Sequence, residues 1–181
     1  MPIERPDAEP NAQSSVRPNP TPTVRPAHLD DLEFLVAGNI AIAEETEGLR
    51  LDSNTLREGI RALLESRAPG RYWVAEIDSR VVGQLLITFE WSDWRNRMVW
   101  WIQSVHVVPD ARRKGVFRAL YDRIRAEARS AGAAGLRLYV DRTNTRAQAV
   151  YKAVGMTSDH YQVLEDMFVE SQPASSSPGH P

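Results

Sequence analysis

One stretch constrains the fold more than any other: Val105-His106-Val107-Val108-Pro109-Asp110-Ala111-Arg112-Arg113-Lys114-Gly115-Val116-Phe117-Arg118-Ala119-Leu120. It runs from a β-branched strand through a short basic turn holding one glycine into an amphipathic helix. A glycine at the mouth of a helix lets backbone N–H groups approach a ligand closely. The helix N-terminus adds partial positive charge, and Arg112, Arg113 and Lys114 add more. Together they make a site for a pyrophosphate.

The rest of the chain supplies a frame for that turn. Thr23-Val24-Arg25 is a short first strand. A helix over 28–47 carries Leu29, Leu32, Leu35, Val36, Ile40, Ile42 and Ala43 on its apolar face. After a loop over 48–52, Ser53 caps a second helix over 54–67, with Leu56, Ile60, Leu63 and Leu64 inward. Strands follow over 72–77, 81–90 and 98–108. The helix over 114–131 places Phe117, Leu120, Tyr121, Ile124 and Ala128 on one stripe and Arg118, Asp122, Arg125 and Arg129 on the other. Gly132 and Gly135 end it. A strand over 136–140, a helix over 144–154 and a strand hairpin over 157–169 complete the order βααβββαβαββ. That order predicts an α/β domain over 23–169, a mixed central sheet flanked by helices. Residues 1–22 and 170–181 are rich in proline and small polar residues, and are expected to be disordered tails.

Composition removes several function classes. The 181 residues suffice for one domain with a sizeable core. A formal net charge of −2 gives no global field for nucleic acid or anionic membrane. The basic residues between 112 and 129 are interrupted by Asp122 and Glu127, so nucleic acid is not an expected partner. There is no cysteine, hence no disulfide, thiolate metal site or cysteine nucleophile. No His/Asp/Glu spacing suggests a metal. No apolar run spans a bilayer and no signal-peptide core opens the chain, so the expectation is a cytoplasmic protein without a membrane partner.

A second block follows the basic turn: Asn144-Thr145-Arg146-Ala147-Gln148-Ala149-Val150-Tyr151-Lys152-Ala153-Val154-Gly155-Met156. With Arg112-Arg113-Lys114-Gly115-Val116-Phe117 standing for Arg/Gln-x-x-Gly-x-Gly/Ala, the chain over roughly 23–169 resembles the GNAT superfamily of N-acetyltransferases. The resemblance implies a sheet splayed at a coenzyme A site and acetyl-CoA as co-substrate. It implies that the strand Val105, His106, Val107 pairs with the pantetheine arm. The N–H groups of Arg113 to Arg118, including Val116 and Phe117, would hold the pyrophosphate beside Arg112. The Phe117 ring is expected to turn coreward with Leu120 and Tyr121, leaving its N–H available. Tyr151, seven residues after Asn144, stands where relatives carry the acid that protonates the leaving thiolate. Asn144 is a helix cap, a coenzyme contact, or both.

The proton acceptor is not specified. A primary amine must lose a proton at a cost of roughly 4–5 kcal/mol near pH 7. The positions where many relatives carry a base are Trp101, Gln103 and Tyr139. Glu44, Glu45, Glu47 and Glu90 are more distant carboxylates. The Glu44–Glu47 run reads either as a solvated helix end or as an acidic wall, with Glu45 and Glu47 attracting a cationic amine. Trp101 and Gln103 share a strand face and are candidate acceptor contacts, whereas Trp100 and Ile102 lie on the other face. Trp91 and Trp94 flank a polar turn and suit a homodimer contact instead. His106 points away from the face of Val105 and Val107, where a structural role is the commoner one. The function expected from the resemblance is acetyl transfer to a primary amine by direct attack, the acceptor a small molecule. A protein lysine or N-terminus as acceptor, and a non-catalytic acyl-CoA-binding domain, are the alternatives.

Overall fold

A computed structural model describes residues 21–66, 69–158 and 162–168. Five strands form one sheet in sequence order: β1 (Thr23–Pro26), β2 (Gly70–Ile77), β3 (Arg80–Ser92), β4 (Arg97–Val107) and β5 (Gly135–Leu138). Neighbours are antiparallel except β4 and β5, which run parallel. The helices are α1 (Leu32–Ile42), α2 (Ser53–Ser66), α3 (Val116–Ser130) and α4 (Thr145–Ala153). The mixed sheet with flanking helices is the architecture expected.

Two apolar layers sandwich the sheet. On one face α3 lays Val116, Leu120, Tyr121, Ile124 and Ala128 against Trp73, Leu85, Ile87, Trp100 and Ile102. Trp100 packs edge-on to Phe89 at 5.3 Å and tilted to Trp73 at 6.3 Å. Such pairs each add about 0.5–1.5 kcal/mol beyond their buried area. On the other face α1 and α2 contribute Leu32, Leu35, Val36 and Ile60 over Tyr72 and Val74. Arg25 on β1 locks the start of this layer, bonding Asp31 at 2.7 and 2.9 Å and Glu76 at 2.9 Å.

A β-bulge breaks the alternation of β4. Leu86 pairs with Ser104 and Ile87 with Ile102, so Gln103 is the extra residue. A bulge resets which face the following side chains take. Val105 and Val107 therefore pack on the α3 side, and Ser104 and His106 join Trp101 on the α1 side.

Several boundaries differ from expectation. The helix expected over 28–47 is three pieces: a 3-10 turn (Leu29–Asp31), α1, and one wider π turn (Ala43–Glu47) closed by Gly48 at φ +64°. Leu29 is exposed rather than on the buried stripe. Asp52, not Ser53, caps α2: its carboxylate accepts from the Thr55 N–H at 2.8 Å. The third long helix starts at Val116, because Arg113 and Gly115 both take positive φ and hold the chain in a turn. The strand expected over 136–140 is β5, Gly135–Leu138. The hairpin expected over 157–169 is not formed at 157–158 or 162–168, where Val163, Leu164, Met167 and Phe168 are exposed. Its remaining residues, and all of 1–20 and 169–181, lie outside the described residues.

Candidate functional site

β4 and β5 pair only from Val99–Gly135 to Ile102–Leu138. β4 continues five residues further, to Val107, so the two strands part and leave an open edge. The Val108 N–H bonds the Val82 carbonyl on the β3 side. Alternation then turns the N–H and C=O of Val107, and of Val105 two residues back, to the open side. The Val107 carbonyl accepts from Arg112 Nε at 2.9 Å on that side.

The opening is a cleft of about 450 Å³. Val105, His106 and Val107 line it from β4, Arg112 and Phe117 from the turn and α3, and Ile42, Glu45 and Thr46 from the end of α1. Thr143, Asn144, Arg146, Ala147, Val150 and Tyr151 line it from α4 and the residues before it. Asn144, Ala147 and Tyr151 fall at helical spacing, which puts them on one face.

The basic turn ends the cleft. Gly115 sits at φ +79°, and no atom lies within 4 Å of where a Cβ would stand. In α3 the first closing bond runs from the Ala119 N–H to the Gly115 carbonyl, at 2.9 Å. The N–H groups of Val116, Phe117 and Arg118 are thus among the donors every helix leaves free at its start, and favour an anion there. The Val116 side chain is buried in the core, whereas those of Arg113, Lys114 and Arg118 are exposed. Arg118 pairs with Asp122 at 2.7 Å. Arg112 is committed differently: its Nη2 bonds both Glu45 oxygens at 2.8 and 3.0 Å. This pair ties the turn to the end of α1.

Tyr151 stands in the cleft wall against Phe117, ring centroids 5.7 Å apart and edge-on. Burial pushes its phenol above the ordinary value. Phe117 also stacks on Tyr121 at 6.0 Å, so its ring is coreward as expected while its edge still lines the cleft. Asn144 is a helix cap, accepting from the Ala147 N–H at 2.9 Å, and it lines the cleft as well. His106 is buried in the β4 wall; burial lowers its pKa, Glu45 raises it and Arg112 lowers it further.

The other candidates gather elsewhere. Trp101 donates to Glu90 at 2.5 Å, and Arg137 holds the second Glu90 oxygen at 2.8 Å while lying over the Trp101 ring. Gln103 donates to Thr88 at 2.6 Å and accepts from the Tyr139 hydroxyl at 3.0 Å. These residues form a polar, aromatic patch on the α1 side of the sheet, outside the lining of the cleft. Glu47 is exposed and also outside it. Sequence reasoning missed Thr143, Arg146 and Val150. The spacing from Asn144 could have found Ala147, but nothing local marked Arg146 as a cleft cation. Among the described residues no helix is long and apolar enough to cross a membrane.

Comparisons with known proteins agree with this fold. A possible acetyltransferase from Clostridium difficile 630 superposes with a TM-score of 0.76 at 38% identity, covering 82% of this chain and 99% of that one. An aminoglycoside N-acetyltransferase in complex with CoA superposes with a TM-score of 0.69 at 14% identity, over 83% of this chain and 97% of the other, a likeness of fold alone. A thialysine N-epsilon-acetyltransferase of Bos taurus is 33% identical over 75 residues, 41% of this chain and 44% of its own. The match thus spans under half the length of that curated relative. The sequence model of the Acetyltransferase (GNAT) family matches residues 39–156, more than half of the chain. The chain belongs to the GNAT family of acetyltransferases.

Proposed function

We propose that this protein moves an acetyl group from acetyl-CoA to a primary amine of a small cationic molecule, by direct attack within a ternary complex. One observation carries the reading: the open β4 edge leads straight to the Gly115 turn and the start of α3, with Tyr151 in the same cleft. The edge offers the Val105 and Val107 backbone to an extended amide-bearing arm, and the helix start offers N–H donors to a diphosphate. The absence of cysteine from the chain agrees with direct transfer, since no thiol can carry the acetyl group.

Within that complex the residues divide the work. Oriented backbone donors polarise the thioester carbonyl and hold it still for attack. Tyr151 keeps its proton near neutral pH, its phenol being raised by burial, and can give it to the departing sulfur. The relative that acts on thialysine, and neighbours named for aminoglycosides, support an amine acceptor. Glu44, Glu45 and Glu47 at the end of α1 give that side of the cleft mouth a negative charge that suits a cation.

Two measurements test this. Isothermal titration with acetyl-CoA is expected to show binding; no heat at millimolar ligand refutes the donor. A thiol-release assay over a panel of amines is expected to give turnover. Binding without release for any acceptor would instead identify a non-catalytic acyl-CoA-binding domain.

A further inference from the structure

Transfer to an ammonium requires a proton acceptor, and the carboxylates nearest the cleft are occupied. Both Glu45 oxygens accept from Arg112. Both Glu90 oxygens are held, by Trp101 and Arg137. Trp101, Gln103 and Tyr139 offer no lone pair of suitable basicity.

His106 is differently placed. The bulge at Gln103 moves its side chain to the α1 side of β4, opposite Gln84, and the residue lines the cleft with Glu45 and Tyr151. Only 8% of the residue is exposed. Among the described residues neither ring nitrogen has a hydrogen-bond partner, and neither is a fully enclosed unsatisfied atom, as Gln84 Oε1 and Ser104 Oγ are. The nitrogens are therefore not sealed off, and the residue belongs to the cleft wall. A buried imidazole left unpaired by the protein is a costly arrangement unless a ligand or water completes it.

We propose that His106 accepts the proton of the acceptor ammonium, directly or through one water. This rests on the transfer reading above. His106 takes a proton from R–NH3+, and the freed lone pair forms the C–N bond at the thioester carbonyl carbon. The C–S bond breaks, and Tyr151 gives its hydroxyl proton to the leaving sulfur. The surplus proton on the new amide nitrogen returns to the Tyr151 oxygen, and His106 releases its own to solvent. The sum is one amide, one thiol and one proton.

The charged and titratable groups facing His106 are Glu45 from the end of α1, Arg112 from the turn, and Arg146 and Tyr151 from α4; β3 presents the neutral Gln84. Glu45 is ion-paired and Tyr151 titrates above neutrality. The acid limb of the rate profile thus falls to His106, below the ordinary histidine value of 6.5.

The test compares the full chain with His106→Gln and His106→Ala, each saturated with acetyl-CoA. With a strongly basic amine, kcat is expected to fall about 10²-fold or more in both variants, with acetyl-CoA affinity by titration within twofold of the parent. The acid limb of the parent disappears, and the variants' rates climb with pH as free amine accumulates. Added imidazole restores part of the His106→Ala rate. With hydroxylamine, already neutral at pH 7, the loss shrinks to severalfold. An equal loss with hydroxylamine overturns the assignment, as do variants with the parent's rate and profile. A parent that binds acetyl-CoA but releases no thiol with any acceptor overturns the transfer reading along with it.

Discussion

Gly83 tests the link between packing and coenzyme binding. It lies on β3 under the start of α3, where a Cβ would stand 2.7 Å from Val116 Cγ1 and 3.3 Å from Leu120 Cδ1. Carbon atoms rest about 3.5–4.0 Å apart, so in Gly83→Ala the Val116 side chain must retreat by about 1 Å. Val116 is 2% exposed and stiff at χ1, so it cannot rotate away. The retreat falls on the first residue of α3. Overpacking of this kind costs about 1–3 kcal/mol, offset by about 0.5–1 kcal/mol from losing a strand glycine. The net expectation is a loss of about 1–2 kcal/mol, or about 2–8 °C in Tm for a chain of this size. Because the same movement drags the helix start from the β4 edge, acetyl-CoA affinity is expected to fall about tenfold, measured by titration well below the unfolding temperature. Urea unfolding followed by tryptophan fluorescence reads the stability term, with Trp73 and Trp100 both buried. Gly59→Ala in α2 is the control: no atom lies within 4 Å of its added Cβ. It is expected to gain about 0.5–1 kcal/mol and leave coenzyme affinity alone. Gly83→Ala with the parent's stability and affinity would refute the reasoning.

Tyr151→Phe keeps the contact with Phe117 and removes the hydroxyl; kcat is expected to drop about 10²-fold in the thiol-release assay, with acetyl-CoA affinity nearly unchanged. Glu45→Gln releases Arg112 and removes a negative charge from the cleft, so titration should show acetyl-CoA binding severalfold tighter; the pair is half exposed, which limits the effect to about 1 kcal/mol. Asp31→Asn leaves Arg25 with Glu76 as its one carboxylate partner and weakens the bond from the His28 N–H; urea unfolding at pH 7 should show a loss of about 2 kcal/mol. Burial raises the Asp31 carboxyl, but Arg25 and the His28 N–H outweigh it and hold it below its ordinary 3.8. The unfolded chain binds that proton first as pH falls, so the contribution is full above about pH 4–5 and is lost on acidification through 3.8 and below. The difference between Asp31→Asn and the parent should narrow over that window.

Much of this was legible in the residues. The period of Phe117, Leu120, Tyr121, Ile124 and Ala128 set the buried stripe of α3, and the alternation of β4 sorted Trp100 from Trp101. The spacing from Asn144 to Tyr151 brought both to one cleft. What stayed hidden depends on distance or on local backbone geometry. The pair of Arg112 with Glu45 joins residues 67 apart, and neither flanking pattern announces it. The occupation of Glu90 by Trp101 and Arg137 needs three strands in register. The π turn after Ile42 looks like continued helix, because its composition is helical. Arg113 at φ +64° carries no glycine to mark a left-handed position, so the helix was expected two residues early. The strand pattern over 157–169 is apolar enough for pairing, yet Val163, Leu164, Met167 and Phe168 are left without a sheet partner among the described residues.

The extra residue at Gln103 makes the kink in β4 a determinant of chemistry. Were the strand to run straight through that position with Trp100 and Ile102 anchored, strict two-residue phase would carry the imidazole into oil and turn two valines out toward the acceptor. Losing the surplus residue itself removes the kink and leaves the side chains beyond it on their present faces. The spot is thus expected to tolerate a one-residue deletion better than a change that keeps the length and flattens the kink.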